Sequence, residues 1–232
     1  MRPYRALKGL LPIVAFMGAA HAAPLEEAIM PLERYSSTKA RSLAARYSSE
    51  LRRIYDDTSR CLPWLHIKKH GLGFRKPHGA LGDDFYLTLW VWVDQTITPE
   101  FTAMSQASRA SAMFSRYGTN LLRRLSRLHR LAADRELAGY SVVLSWLKPA
   151  GRAEHQGRPT AETLAVFVDT ATAQEFLAQT VTPAQFVKQA RVIAFEGTSA
   201  LGRLPLTIWE DGFIGTFRPK DSTPGDCDSD QR

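Results

Sequence analysis

The decapeptide FYLTLWVWVD, residues 85–94, is the clearest β-strand signal in the sequence, because β-branched and aromatic residues fill most of it. Successive side chains of a strand point to opposite faces. The odd-numbered positions of this stretch are all apolar. The even-numbered positions combine aromatic rings with polar groups: Tyr86, Thr88, Trp90, Trp92 and Asp94. The contrast predicts a sheet with one dry core face and one face of mixed character.

A helical pattern precedes this strand. Leu43, Tyr47, Leu51 and Ile54 recur at steps of four, four and three, which predicts one long amphipathic helix within residues 25–60. Pro63 should end it, since proline disfavours helical geometry in the preceding residue. The basic, glycine-containing segment 64–84 is expected to be a loop-rich connector.

A second long helix is expected after the strand. Thr98 suits an N-cap and Pro99 the first helical position, and the helix should continue to about residue 136 with a weak point at Gly118. In the second half of the chain, apolar residues then recur at every second position, which is the period of a β-strand. Strands are predicted at 140–148, 163–169, 191–196 and 206–210, with short helices that begin at a Thr172–Glu175 capping box and at Thr182.

Together these elements predict an α+β fold. A mainly antiparallel sheet of about five strands would be packed on one face by two long helices, with one or two short helices added. We expect a single domain over residues 23–220, followed by an acidic disordered tail at 221–232.

The first 22 residues have the pattern of a cleavable export signal. Arg2, Arg5 and Lys8 precede a short apolar run, and Ala20-His21-Ala22 supplies the small-x-small pattern of a cleavage site near Ala22/Ala23. We therefore expect a periplasmic or secreted protein. No later stretch is apolar and long enough to cross a bilayer, so the mature chain should contain no transmembrane segment.

The charge is unevenly distributed. The whole chain carries +7, of which the predicted signal contributes three positive charges. The remaining +4 divides into a body of +7 and a tail of −3. A basic body favours anionic partners, including peripheral contact with an anionic membrane surface. Export argues against nucleic acid as a partner.

Two groups of residues are candidates for binding. Flat rings beside polar groups suit an envelope glycan, lipid or protein partner, unless another element covers the rings as a second core. The predicted ligand-binding residues are Tyr86, Trp90, Trp92, Asp94, Ser145 and Trp209. The predicted anion- or partner-binding residues, which a solvated basic surface would also explain, are Lys68, Lys69, Arg75, Lys76, Arg123, Arg127 and Arg130.

The two cysteines, Cys61 and Cys227, favour a disulfide in an exported protein, with free thiols as the alternative. Such a bond would hold the acidic tail close to the body. It could then mask the basic segment 68–76.

The catalytic and metal-binding motifs tested are all incomplete. Ser36-Ser37-Thr38-Lys39 matches S-x-x-K but lacks its partner motifs, and His66 and His70 lack the HExxH glutamate. We assign no catalytic residue, cofactor or metal. The favoured function is a non-catalytic, exported envelope protein. The alternative is a small exported hydrolase that uses carboxylates such as Asp83, Asp84, Asp94 or Asp169.

Overall fold

The computed structural model describes residues 22–77, 79–80, 82–94, 98–148, 160–197 and 199–207, apart from the side chain of His129. Several predictions fall outside these residues: almost all of the export signal, the acidic tail, Trp209, Cys227 and the last part of the strand expected at 206–210.

The described strands form one six-stranded sheet in which spatial order follows chain order, β1-β2-β3-β4-β5-β6. Four of the pairings between them are antiparallel, and β2 pairs with β3 in parallel. The fold is therefore α+β, with a mixed rather than purely antiparallel sheet. The strands are β1 (Leu65–Arg75), β2 (Phe85–Val93), β3 (Leu137–Leu147), β4 (Ala161–Asp169), β5 (Arg191–Glu196) and β6 (Ser199–Arg203).

The described helices are shorter than the sequence pattern suggested. The first four are α1 (Leu25–Ala28), α2 (Thr38–Arg46), α3 (Ser48–Cys61) and α4 (Pro99–Ala103). They are followed by α5 (Gln106–Met113), α6 (Thr119–Ser126), α7 (His129–Ala132), α8 (Thr170–Leu177) and α9 (Pro183–Gln189). A 3-10 turn at Leu32–Arg34 and a π-helical turn at Phe114–Gly118 complete the set.

The prediction of one long first helix was wrong. Ser37 has extended backbone geometry and caps a new helix, α2, by accepting a hydrogen bond from the amide of Ala40 at 3.5 Å. Tyr47, at φ −108° and ψ 23°, then separates α2 from α3. Helix α3 ends at Cys61, two residues before Pro63, as predicted.

The second long helix is also divided. Thr98 and Pro99 begin α4 as predicted, but Ser105 caps a separate helix, α5. Gly118 marks a real irregularity, because it closes the π-helical turn between α5 and α6. A Cβ atom at this glycine would lie 2.3 Å from the Phe114 ring, so the turn needs a residue without a side chain.

The expectation of a loop at 64–84 was wrong for most of that segment. Leu65 and Ile67 face the core, as do Leu72 and Phe74, which makes Leu65–Arg75 the edge strand β1. An irregularity between Ile67 and Leu72 interrupts the alternation that would otherwise identify a strand.

Two details of the second half also differ from prediction. Asp169, rather than Thr172, caps α8 by accepting from the Thr172 amide at 2.8 Å. The last described strand is β6, at Ser199–Arg203, whereas Leu206 and Thr207 lie outside any strand.

One face of the sheet packs against the helices, as predicted. Leu87, Leu89 and Val91 of β2 and Leu164 of β4 are completely buried in a core that includes buried side chains of α3 and α6. No helix in the described ranges is both long and apolar enough to span a membrane.

Candidate functional site

The opposite face of the sheet carries a second, smaller apolar cluster made only of strand residues. We call it the open face, because none of the described helices contributes to it. Its buried members come from β3, β4 and β5, and its half-buried members are aromatic. The open face comprises Val143, Ala165, Phe167 and Ile193, with Tyr86, Trp90 and Phe195 packed around them.

A β-bulge in β1 shapes the edge of this face beside Trp90. Ile67 pairs with Val91 and Leu72 pairs with Leu89, so the four residues 68–71 stand opposite Trp90 alone. A Cβ atom at Gly71 would lie 2.6 Å from the Trp90 carbonyl oxygen. His70 adopts a left-handed φ of 55°. The bulge therefore depends on a glycine and on one strained residue.

Two cations of β1 lie near one indole ring, one from the bulge and one from the regular part of the strand. The Lys68 Nζ lies 4.5 Å from the centroid of the Trp90 ring and 5.9 Å from that of Trp92. The Arg75 Cζ lies 6.0 Å from the Trp90 centroid. All three contacts fall within the range of cation–π attraction. The Trp90 ring therefore already contacts two cationic side chains.

Hydroxyl groups lie on the other side of Trp90. Its indole Nε1 donates to Ser145 Oγ at 2.8 Å, and Ser145 Oγ is hydrogen-bonded to Thr163 Oγ1 at 2.8 Å. Ser145 is completely buried. These bonds fix the indole plane, so the site is preorganised in one orientation.

The two cations are partly desolvated. Burial lowers the pKa of the Lys68 ammonium below its usual value, and burial likewise lowers the pKa of the Arg75 guanidinium. Arg75 donates from Nη2 to the His70 carbonyl oxygen at 2.5 Å, while its buried Nε meets no hydrogen-bond partner among the residues that the structure describes. Within the described ranges, no carboxylate forms an ion pair with Lys68 or Arg75. Among the described residues, the two cations are thus held without a carboxylate counter-charge.

The other predicted cations of this segment are already neutralised. Lys69 Nζ lies 3.0 Å from a Glu27 carboxylate oxygen, and Lys76 Nζ lies 3.0 Å from a carboxylate oxygen of Asp83. Lys69 and Lys76 are therefore paired with carboxylates, whereas Lys68 and Arg75 have no carboxylate partner among the described residues.

The remaining predicted ligand residues are spread along the face. The Tyr86 and Phe167 rings meet edge to face, with centroids 5.3 Å apart. Burial, followed by the charges of Asp84 and Asp169, raises the pKa of the Tyr86 hydroxyl. Asp94 follows β2, at the opposite end from Tyr86. Trp90, Trp92 and Ser145 are brought together, whereas Trp209 lies outside the described residues.

The predicted basic stripe does not form one continuous surface. Arg130 Nη1 donates to a Glu50 carboxylate oxygen at 2.6 Å, and Arg123 Nη1 donates to the Asn120 amide oxygen at 3.4 Å. Arg127 instead lines a groove of about 850 Å³ between α3 and the end of α6. We call this cavity the arginine groove, and its charged lining consists of Arg52, Arg53, Arg60, Arg124 and Arg127 with Asp56 and Asp57.

Sequence reasoning missed this groove. The arginines of α3 were visible as residues off its apolar stripe, but their meeting with α6 depends on tertiary packing. Their i, i+1 and i+8 spacing along α3 was the available signal.

Two of the four carboxylates suggested for a hydrolase are engaged in other contacts. Asp83 pairs with Lys76, and both oxygens of Asp169 accept hydrogen bonds from Thr172. Asp84 and Asp94 flank opposite ends of β2. Across the part of the chain that is described, no group of three or more His, Cys, Asp or Glu residues could hold a metal ion.

Comparisons of the chain with models of protein families, with curated proteins and with solved structures found no match.

Proposed function

We propose that the protein is an exported, non-catalytic envelope protein that binds an acidic glycan on the open face of its sheet. The observation that carries this proposal is the pair Lys68 and Arg75, held over Trp90 without a carboxylate partner among the described residues. An anion bound there would supply the missing counter-charge. The neighbouring half-buried rings of Tyr86, Trp90 and Trp92 supply the flat apolar contacts that sugars use.

The chemistry favours a sugar acid over a neutral sugar. Partial burial makes the charged form of Lys68 costly, and a bound carboxylate offsets that cost with a charge-assisted hydrogen bond. Because binding needs the ammonium form, affinity should fall as the pH rises through the lowered pKa of Lys68, below its usual 10.5.

Titration of the full mature chain with trigalacturonate, and with maltotriose as the neutral probe, tests the proposal. We expect saturable binding of trigalacturonate alone, measured by tryptophan fluorescence and calorimetry. Lys68→Gln should weaken it about tenfold or more, since a hydrogen bond to a charged group contributes about 1.5–3 kcal/mol. The matched control is Lys188→Gln, which removes an exposed lysine from α9. Equal affinities for both variants, or equal binding of both sugars, would overturn the proposal.

Export is tested separately by N-terminal sequencing of protein recovered from the periplasm or medium, with Ala23 expected first. The Ala23 backbone nitrogen donates to the Ile67 carbonyl oxygen at 3.1 Å. A new terminal ammonium at Ala23 would keep that bond. Recovery of the intact chain in the cytoplasm would contradict export.

A further inference from the structure

The arginine groove is formed where two amphipathic helices turn their apolar sides inward. Leu51 and Ile54 of α3 and Leu121 and Leu125 of α6 are buried in the main core. The polar sides of both helices consequently flank the same outer cavity of about 850 Å³. That volume lies within the usual range of small-molecule sites.

The groove carries a surplus of positive charge. Five arginines and two aspartates among its lining residues leave a net charge of +3. Only Arg124 forms an ion pair with a described carboxylate of the groove, namely Asp57 on the facing helix. This pair joins α3 to α6 and fixes the Arg124 guanidinium. Arg52, Arg53, Arg60 and Arg127 are exposed.

Helix-dipole effects explain only part of this arrangement. Arg60 and Arg124 lie in the last turns of α3 and α6, and Arg127 follows directly, where positive charge stabilises a helix terminus. Arg52 and Arg53 lie in the first half of α3, where the dipole gives no such benefit. The helix dipole therefore does not account for their position at the same cavity.

We propose that the arginine groove binds a ligand with several adjacent phosphate groups. Guanidinium groups bind phosphate oxygens bidentately, and a row of phosphates presents the closely spaced negative charges that several guanidiniums can share. A single monovalent anion would leave most of the surplus charge unmet. This site is separate from the open face and does not depend on the function proposed for that face.

Calorimetric titration of the full mature chain with sodium tripolyphosphate in 0.1 M salt tests the proposal. We expect saturable binding, with sulfate at least tenfold weaker. The double variant Arg53→Gln/Arg60→Gln should lose at least tenfold in affinity. The double variant Arg123→Gln/Arg135→Gln, which removes the same charge from exposed residues outside the groove, should stay within twofold of wild type.

Co-sedimentation with phosphatidylglycerol vesicles distinguishes the source of the phosphates. One outcome is that the protein binds the vesicles, that tripolyphosphate displaces it, and that only the groove variant loses this binding. This outcome would support the site and assign it to lipid headgroups. Tripolyphosphate binding without vesicle binding would support it for a free phosphate chain. Equal losses in both double variants, or no saturable tripolyphosphate binding by the wild type, would overturn it. Thermal unfolding of each variant checks that the fold is retained.

Discussion

Two tyrosine hydroxyls are buried without a hydrogen-bond partner among the described residues, those of Tyr117 and Tyr140. Burial raises the pKa of each to about 12. A buried hydroxyl without a partner loses its hydration and gains nothing in return, which costs about 1–3 kcal/mol. These residues are thus local weaknesses in an otherwise well-packed core.

Tyr140→Phe should raise the free energy of unfolding by about 1 kcal/mol, because it removes an unpaired polar atom and little volume. Urea denaturation at pH 7 measures this change. The matched control is Tyr47→Phe, which should lower stability, since the Tyr47 hydroxyl donates to Asp134 Oδ2 at 2.6 Å. Equal destabilisation by the two changes would contradict the prediction.

Tyr140 also predicts how the stability of the fold changes at alkaline pH. The pKa of Tyr140 is higher in the folded state than its usual 10.0, so its titration costs the fold no stability below pH 10, where the hydroxyl stays neutral in both states. As the pH rises from 10 towards about 12, the unfolded chain ionises first and stability falls. Tyr140→Phe should therefore also lose less stability over that interval in the same denaturation series.

At the residue scale, alternation alone placed Trp90 and Trp92 on a mixed face with Ser145. It could not place Lys68 over the indole. That position depends on a bulge whose backbone approaches Trp90 too closely for any Cβ at Gly71. This close approach depends on how two strands pair, so no periodic pattern in the local sequence indicates it.

Between elements, a buried ion pair joins α5 to β4. Arg109 donates from Nε to Glu162 Oε2 at 2.8 Å and from Nη2 to Oε1 at 2.5 Å. Trp146 Nε1 also donates to Glu162 Oε2 at 2.8 Å. Glu162 is 1% exposed and Arg109 is 8% exposed. Hydration therefore cannot stabilise either charge if the other member of the pair is removed.

Glu162→Gln should destabilise the protein by about 3–5 kcal/mol, because it leaves the Arg109 guanidinium buried without a counter-charge. Urea denaturation measures the change. The double variant Arg109→Met/Glu162→Leu should recover most of the loss, since two apolar side chains need no counter-charge. A loss below about 1 kcal/mol for Glu162→Gln would show that water reaches the pair.

The element-scale predictions succeeded where the pattern was continuous and failed where it was interrupted. Strand β2 has unbroken alternation and was predicted almost to the residue. Strand β1 has the same apolar alternation on either side of four bulged residues, and the interruption made it resemble a loop. The long helices failed for a related reason. A shared apolar stripe continues across Tyr47, although the backbone there leaves helical geometry.

At the scale of the whole molecule, the predicted Cys61–Cys227 disulfide would tie the tail to the body. Cys61 is 4% exposed at the end of α3, and Cys227 lies outside the described residues. A loop of this length would stabilise the fold by about 4–5 kcal/mol in the chain-entropy model. Because Arg60 precedes Cys61, the bond would also bring Asp226 and Asp228 towards the arginine groove.

Thiol labelling of the denatured protein tests the bond. We expect no labelled cysteine before reduction and two afterwards, with tighter tripolyphosphate binding once reduction frees the acidic tail. Cys227→Ser should show the same tighter binding without reduction, and Cys61 should then be labelled on denaturation. Two labelled cysteines in unreduced protein would contradict the pairing.

The order of the strands has a consequence for how the molecule is made. Every strand of the described sheet lies beside the one that precedes it in the chain. A polypeptide that emerges amino end first from a ribosome or a translocation channel can therefore extend the sheet from one edge, without inserting a late strand between earlier ones. One pairing should be slower than the others. Strand β3 pairs in parallel with β2, so the connection through α4–α7 must first cross from one end of the sheet to the other. We expect vectorial folding to pause there, with the β1–β2 hairpin awaiting its next neighbour.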